Sequence, residues 1–462
     1  MAEPLWTSTE IARATGGVER GEFAATGVSI DTRTLERGDL FVALDGVRDG
    51  HEFVELAMAK GAAGALVSRD VTAPSVRVRE PLAALEQLGV AARARASQAR
   101  RGAVTGSVGK TSVTQAVMAG LTLAGRAHGS VKSYNNHIGV PLTLARMPRD
   151  TERAVFEIGM NHADEIRPLT WMVRPHVALV TTVGPVHTEN FPDGEAGVAR
   201  AKAEVFEGLE PGGVAILNAD NAWFEMLRAE ALKVGATVRT FGRGETCDAR
   251  LLDFRVSGQE AMIQARLQGR VLDFPIRQTG QHWGSNSMAV LLMLEALEVG
   301  LDDSLAALGA FEPLAGRGAE TPVRTKGGAF TLIDESYNAN PVSMASAIAT
   351  LGARKVEGRR IVALTDMLEL GPEAETFHAG LATALEAASI DLVFCAGPLM
   401  KSLWNALPPT RRGGYAEVAS DLAPRLVRAV EAGDVVMVKG SNGSRAGLVA
   451  QALSALDLRE AG

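Results

Sequence analysis

Thr105-Gly106-Ser107-Val108-Gly109-Lys110-Thr111-Ser112 decides how the rest of this chain is understood. Gly106 and Gly109 permit the tight backbone turn that points N–H groups at an anion. Lys110 supplies a point charge for phosphates, and Thr111 or Ser112 offers a hydroxyl to Mg²⁺. Beyond the loop, Val113, Ala116, Val117, Gly120, Leu121 and Ala124 recur at helical spacing, so a helix N-terminus would face the anion. The loop is compressed: the usual six-residue separation would need glycine at position 104, where Val104 stands. A Gly-rich strand-to-helix turn with an exposed lysine is the competing interpretation of these eight residues alone.

The length of 462 residues suggests about three domains, each able to bury a core. A net charge of −7 gives no general attraction to nucleic acid or anionic membrane. Cys247 and Cys395 lie far apart with no metal-ligand spacing, which fits free thiols in a reducing compartment. The start, Met1 to Trp6, lacks the basic and apolar regions of a signal peptide. The most apolar run, Met288 to Leu301, contains Glu295 and Glu298; it is too short for a membrane span and is predicted to be a core helix. A cytoplasmic protein is the expectation.

The chain divides into residues 1–98, 99–314 and 315–462. The first part holds Val28–Arg33 and a buried strand within Gly38–Leu44, and the Ala- and Arg-rich stretch Ala84–Arg101 is predicted to be helical. In the second, Ala154–Ile158, Val177–Thr181 and Gly213–Leu217 alternate with helical patterns, which argues for a mainly parallel sheet covered on both faces. Between Ala249 and Ile276 short alternating strands predict an antiparallel annex. The third repeats strand–helix alternation from Phe330–Ile333 to Val435–Val438, a doubly wound pattern without a phosphate loop of its own.

Ligands of such sheets sit at the carboxyl ends of strands, so Glu157 can hold Mg²⁺ or simply face water, and Asp334 can bind a ribose hydroxyl or belong to an ordinary Asn-rich turn and helix cap. His187 follows another strand end and has the chemistry of a metal ligand or of an ordinary loop residue. Lys202 sits in a helical Lys/Glu pattern, for which a solvated face is the default. Pro341, after Asn338-Ala339-Asn340, suits the first position of a helix. Arg317, between Gly316 and Gly318, could reach phosphates across a cleft or serve as a linker arginine.

Taken together these segments resemble the Mur ligase family, ATP-dependent amide-bond ligases of peptidoglycan precursor synthesis, in order along essentially the whole chain. The most discriminating run is Ser336-Tyr337-Asn338-Ala339-Asn340-Pro341, followed by Ser343-Met344. It is supported by Tyr134–Thr143, Asp366–Gly371 and Lys439-Gly440-Ser441. The compressed loop is the form this family carries. Glu335 stands where a second aspartate is common in the family, Val108 where a polar residue is frequent, and Thr365 where glycine is frequent.

The resemblance implies an α/β protein of three domains: a small UDP-sugar-binding domain, a central P-loop ATPase-like domain with a mainly parallel sheet, and a C-terminal Rossmann-like domain. It implies that Gly106–Ser112 and Lys110 hold ATP phosphates. Thr111, Glu157 and His187 would hold Mg²⁺, as two ions, together with Lys202, which matches the family lysine that becomes carbamylated. Asn286 matches an adenine-side asparagine, Arg317 a phosphate contact and Asp334 the ribose contact. Substrate contacts are implied for Ser29, Asp31, Arg33, Asp49 and His51 on the UDP-sugar, and for Asn135, Asn136, Tyr337, Asn338 and Asn340 nearer the reaction. The implied partners are UDP-MurNAc-tripeptide and D-alanyl-D-alanine, joined through an acyl phosphate by a protein expected to be a monomer. The alternatives are the sister ligase that adds the third amino acid to UDP-MurNAc-L-Ala-D-Glu, a folate polyglutamate ligase, and a non-catalytic protein that kept a nucleotide fold.

Overall fold

Arg100–Thr105 is a strand, the loop follows it, and Lys110–Ala124 is a helix, so the local sequence signals yield the expected strand–turn–helix unit. The computed structural model describes residues 4–131 and 133–458; of the segment inspected for a leader, Met1–Glu3 lie outside the described residues. Arg100–Thr105 lies inside a nine-stranded sheet, flanked by the parallel strands Arg153–Glu157 and Val177–Val180. The chain passes from it to the edge strand Ala127–Gly129, returns through Arg153–Glu157, and then crosses to Val177–Val180 on the other side. This reversal of strand order opens a crevice at the carboxyl end of the first strand, where the loop sits. Val214–Asn218 and Thr237–Gly242 extend the parallel part, and Ala249–Ser257, Glu260–Leu267 and Arg270–Ile276 complete it as antiparallel strands of the same sheet.

A smaller five-stranded sheet precedes it, from Val18–Arg20 to Ser75–Arg77, with Asp39–Val42 buried at every residue. The following helix is Pro81–Arg95, shorter than the predicted Ala84–Arg101 stretch. Arg100 and Arg101 instead open the central strand. Composition misleads here because Arg101 is only 5% exposed: the carbonyls of Ala99, Val173 and Arg174 and the Glu210 carboxylate take up its donors. Its polar demand is met inside the fold.

A six-stranded sheet forms the last part, in the order Ala319–Thr325, Gly328–Glu335, Val435–Lys439, Arg360–Thr365, Leu392–Ala396, Arg412–Ala416. All neighbours are parallel except the first pair. The apolar core helix is His282–Ala296, with Met288 through Leu294 buried. Among the described residues no helix is long and apolar enough to cross a membrane.

Candidate active site

The phosphate loop is shaped by contacts that leave no room for larger residues. Gly106 has φ 145°, and a Cβ there would fall 1.9 Å from the Thr181 hydroxyl oxygen. Gly109 has φ 87°, a left-handed conformation that favours glycine, and lies against Asn286. The Ser107 N–H donates to the Thr182 carbonyl at 2.8 Å, and its hydroxyl to the Gly184 carbonyl at 3.1 Å. Val108 leaves its carbonyl to the Thr181 hydroxyl at 2.5 Å. The loop therefore rests on the next strand end while the first N–H groups of the helix, which lack intrahelical partners, face the crevice.

That crevice is a cleft of about 450 Å³ between the central and C-terminal sheets. Ser107 through Ser112, Asn135, Glu157, His187, Asn286, Arg317, Tyr337, Asn338 and Asn340 all line it, although they span more than two hundred positions of sequence. Glu157 ends its strand 1% exposed. One carboxylate oxygen accepts from the Asn135 amide at 2.6 Å, and the other, also buried, has no partner among the described residues. An anionic oxygen left bare inside a protein calls for a cation.

Lys110 folds back to donate to the Gly106 carbonyl at 2.7 Å. Burial pushes its ammonium below the ordinary lysine range, the Glu157 charge opposes this, and Arg317 adds to it. His187 stands at φ 58° after its strand, a strained position for a non-glycine residue. Desolvation, with the charges of Lys110 and Lys202 behind it, lowers its imidazole to about 4, so the ring is neutral and able to ligate. Its Nδ1 lies 2.5 Å from the Glu369 carboxylate in a geometry that makes no hydrogen bond.

Lys202 is in the helix Glu195–Ala203, but on its buried side, 2% exposed. Burial drives its ammonium well below the ordinary range, with the Lys110 charge adding to the effect. The solvated face foreseen from the Lys/Glu pattern belongs to other residues. Lys202 has no acidic partner among the described residues, and burial favours its uncharged form, the form of an amine that can take up CO₂ to become a carbamate anion.

The structure does not bring Asp334 to this cleft. The strand foreseen as Phe330–Ile333 runs on to Glu335, so Asp334 lies within it, and neighbouring side chains alternate between faces. Asp334 accepts from the Ser336 N–H at 3.0 Å and lines a separate hollow beside Gly447 and Gln451. Glu335 enters the cleft instead, held by the Lys439 ammonium at 3.1 Å. Glu335, not Asp334, is therefore the acid of this strand end that faces the cleft. Lys439 also donates to the Asn338 carbonyl at 3.0 Å. Its place at a strand end before Gly440 is the signal that would have identified it.

Asn340 caps the helix Pro341–Gly352 through a reciprocal pair with Ser343, with Pro341 at the first position. Asn136 accepts from the Ile138 and Gly139 N–H groups, a helix-starting role that holds it outside the cleft. The first-domain candidates gather elsewhere. Ser29 and Asp31 bond through side chain and backbone, Asp31 pairs with Arg33, and the Asp49 carboxylate holds both His51 and Arg69 at 2.7 Å.

A phosphate loop at a topological switch point, faced by a second nucleotide-type sheet across a charged cleft, defines a nucleotide-using enzyme that reacts between domains. Residues 104–294 match the Mur ligase middle domain, and residues 321–442 match the Mur ligase, glutamate ligase domain. The chain belongs to the Mur ligase family. Within it, the chain is 34% identical over 429 residues to the UDP-N-acetylmuramoyl-tripeptide–D-alanyl-D-alanine ligase of Bacillus subtilis, covering 91% of each. It is 32% identical to the Escherichia coli enzyme of that name, covering 95% of this chain and 96% of the other. The crystal structure of MurF from Acinetobacter baumannii superposes with a TM-score of 0.85 at 26% identity, over 97% of this chain and 99% of that one.

Proposed function

We propose that this protein is an ATP-dependent ligase that joins D-alanyl-D-alanine to UDP-MurNAc-tripeptide and so forms UDP-MurNAc-pentapeptide for peptidoglycan synthesis. One observation carries the proposal: Lys110, Glu157, His187 and Arg317 line a single cleft, in a chain whose full-length relatives bear that activity's name.

The γ-phosphoryl of ATP passes to the terminal carboxylate of the tripeptide, and ADP leaves. The dipeptide amine then attacks the acyl carbon, the amide C–N bond forms, and inorganic phosphate departs with the second oxygen of the original carboxylate. Two anions must meet in the first step, so the protein's main task is to neutralise charge and align groups. Lys110 and the loop amides hold the β- and γ-phosphates. Asn286 faces the adenine side, and Arg317 meets the γ-phosphate from the opposite wall. Enclosure between the sheets keeps water from the acyl phosphate.

The bare oxygen of Glu157, the neutral His187 and the Thr111 hydroxyl suit Mg²⁺, in two ions with a carbamylated Lys202. When bound, the metal supplies positive charge to the phosphate oxygens. Residues 1–98 would form the UDP-sugar domain, using Ser29, Asp31, Arg33, Asp49 and His51; residues 99–314 the ATP domain; and residues 315–462 the closing domain. We place the protein in the cytoplasm as a monomer. The test is phosphate release from ATP, Mg²⁺ and UDP-MurNAc-tripeptide with and without D-alanyl-D-alanine. Strong stimulation by the dipeptide is expected; release that ignores it would reject the proposal.

A further inference from the structure

Arg317 makes no ion pair and no side-chain hydrogen bond among the described residues, although it lines the charged cleft. It sits on a sharp turn between Gly316 at φ 71° and Gly318 at φ 93°. Its guanidinium lies over the ring of Tyr337, 4.2 Å from the centroid. The Tyr337 N–H donates to the Gly316 carbonyl at 3.1 Å, which fixes ring and arginine to one turn. The Tyr337 hydroxyl reaches across the cleft to the Ser133 hydroxyl in the central part. Two residues further on, Asn135 grips Glu157.

A guanidinium carries its five donors in its plane, whereas an aromatic ring attracts it through its face. A carboxylate partner would have used those donors. Stacking holds the arginine and leaves the donor edge for an anion. We infer that Tyr337 is a positioning residue for Arg317: its ring seats the guanidinium with the donors unoccupied, and its hydroxyl tethers that seat to the Ser133–Asn135 segment of the opposite wall. Phosphate-facing and metal-facing sides of the cleft are thereby set together, and the arginine reaches its place only when Tyr337 meets Ser133. The inference rests on the ligase reaction proposed above.

The experiment measures kcat and KM for ATP in tripeptide- and dipeptide-dependent phosphate release, with thermal midpoints for every variant. Tyr337→Leu removes the seat and should lower kcat about tenfold while the KM for ATP moves less than about threefold. Tyr337→Trp keeps an aromatic face and should restore most of kcat. Arg317→Ala should fall at least as far as Tyr337→Leu, and the double variant should be no worse than Arg317→Ala, because the two act as one unit. Tyr337→Phe and Ser133→Ala each cut only the tether, should lower kcat by about threefold, and should not add when combined. Full activity in Tyr337→Leu, additive losses with Arg317→Ala, or additive losses when Tyr337→Phe and Ser133→Ala are combined would overturn the inference. If Tyr337→Leu does not fold, the substitutions Tyr337→Trp, Tyr337→Phe and Ser133→Ala still decide. Absence of dipeptide-dependent release in the wild-type protein would instead reject the ligase reaction itself.

Discussion

The central sheet meets its two neighbours in opposite ways. Against the N-terminal part, the helix Pro81–Arg95 packs on the helix Gly139–Ala145, and Leu85, Leu88 and Ala92 share one buried cluster with Leu142, Leu144 and Ala145. Gly89 allows that approach: a Cβ there would already sit 3.1 Å from the Leu144 Cβ. Trp6 is buried at this junction, donates to the Ala145 carbonyl at 2.8 Å, and carries the Arg95 guanidinium 3.7 Å above its ring. Against the C-terminal part the links are hydrogen bonds: Thr279 donates to Glu320 at 2.7 Å, the Gln281 N–H donates to the Thr350 hydroxyl at 3.4 Å, and Ser133 meets Tyr337. The buried apolar clusters of the C-terminal sheet include no residue of the central one. Apolar area must be re-exposed if surfaces slide apart, whereas polar groups exchange partners with water at small net cost. The first junction is therefore expected to stay closed, and the second to be the one that opens and closes around substrates.

The largest effect is expected in the central part, where Lys202 lies buried behind the phosphate loop and His187. Lys202→Ala should reduce turnover by about 10²–10³-fold, an order typical of losing one charge-stabilising group, with no loss of thermal stability because an unpaired buried amine is removed. Added short carboxylic acids should restore part of the activity. Wild-type turnover would break the carbamate assignment.

Trp6→Ala probes the fixed junction and should cost about 3–5 kcal/mol in urea unfolding, the range for emptying a large aromatic site, while the folded fraction keeps its KM for ATP. A cost near zero would show that the first junction is not a shared core.

Acid should weaken the central part at the helix Gly139–Ala145, which carries that junction. His128 contacts the Thr143 carbonyl at 2.7 Å, and burial lowers its imidazole to about 4, with the Arg146 charge contributing. The unfolded chain therefore binds a proton between pH 6.5 and about 4 that the folded chain refuses, so stability falls as pH drops through that window. After discounting for partial exposure, the loss is on the order of 1–2 kcal/mol. His128→Gln should flatten that part of the stability–pH curve; an unchanged slope would assign the acid loss to other groups.

Thr279→Val should give the smallest change, about 1 kcal/mol for one hydrogen bond. Its signature is conformational: a larger radius of gyration by solution scattering without nucleotide, returning to the wild-type value with it. Identical scattering in both states would argue against an opening joint.

Much of the site was legible in sequence because it is built from strand ends. Glu157, the phosphate loop and the Asn340-Pro341 cap each follow from short-range rules about what ends a strand or starts a helix. Asp334 misled because one residue of strand length decides which face a side chain takes. Lys202 gave no sign, since a helical Lys/Glu pattern does not say which face the neighbouring elements will cover. Arg101 shows the same limit, an arginine whose partners come from segments about seventy and one hundred positions away.

The sequence by itself determined the chain's nucleotide loop, its alternating architecture and its family, because turn chemistry and periodicity act over a few residues. Only the tertiary structure decided that Glu335 rather than Asp334 enters the cleft, that Lys202 is buried, and that Tyr337 joins Arg317 to Ser133. Those outcomes depend on register and on closure between distant segments, where burial and electrostatics are fixed by whatever the fold brings alongside.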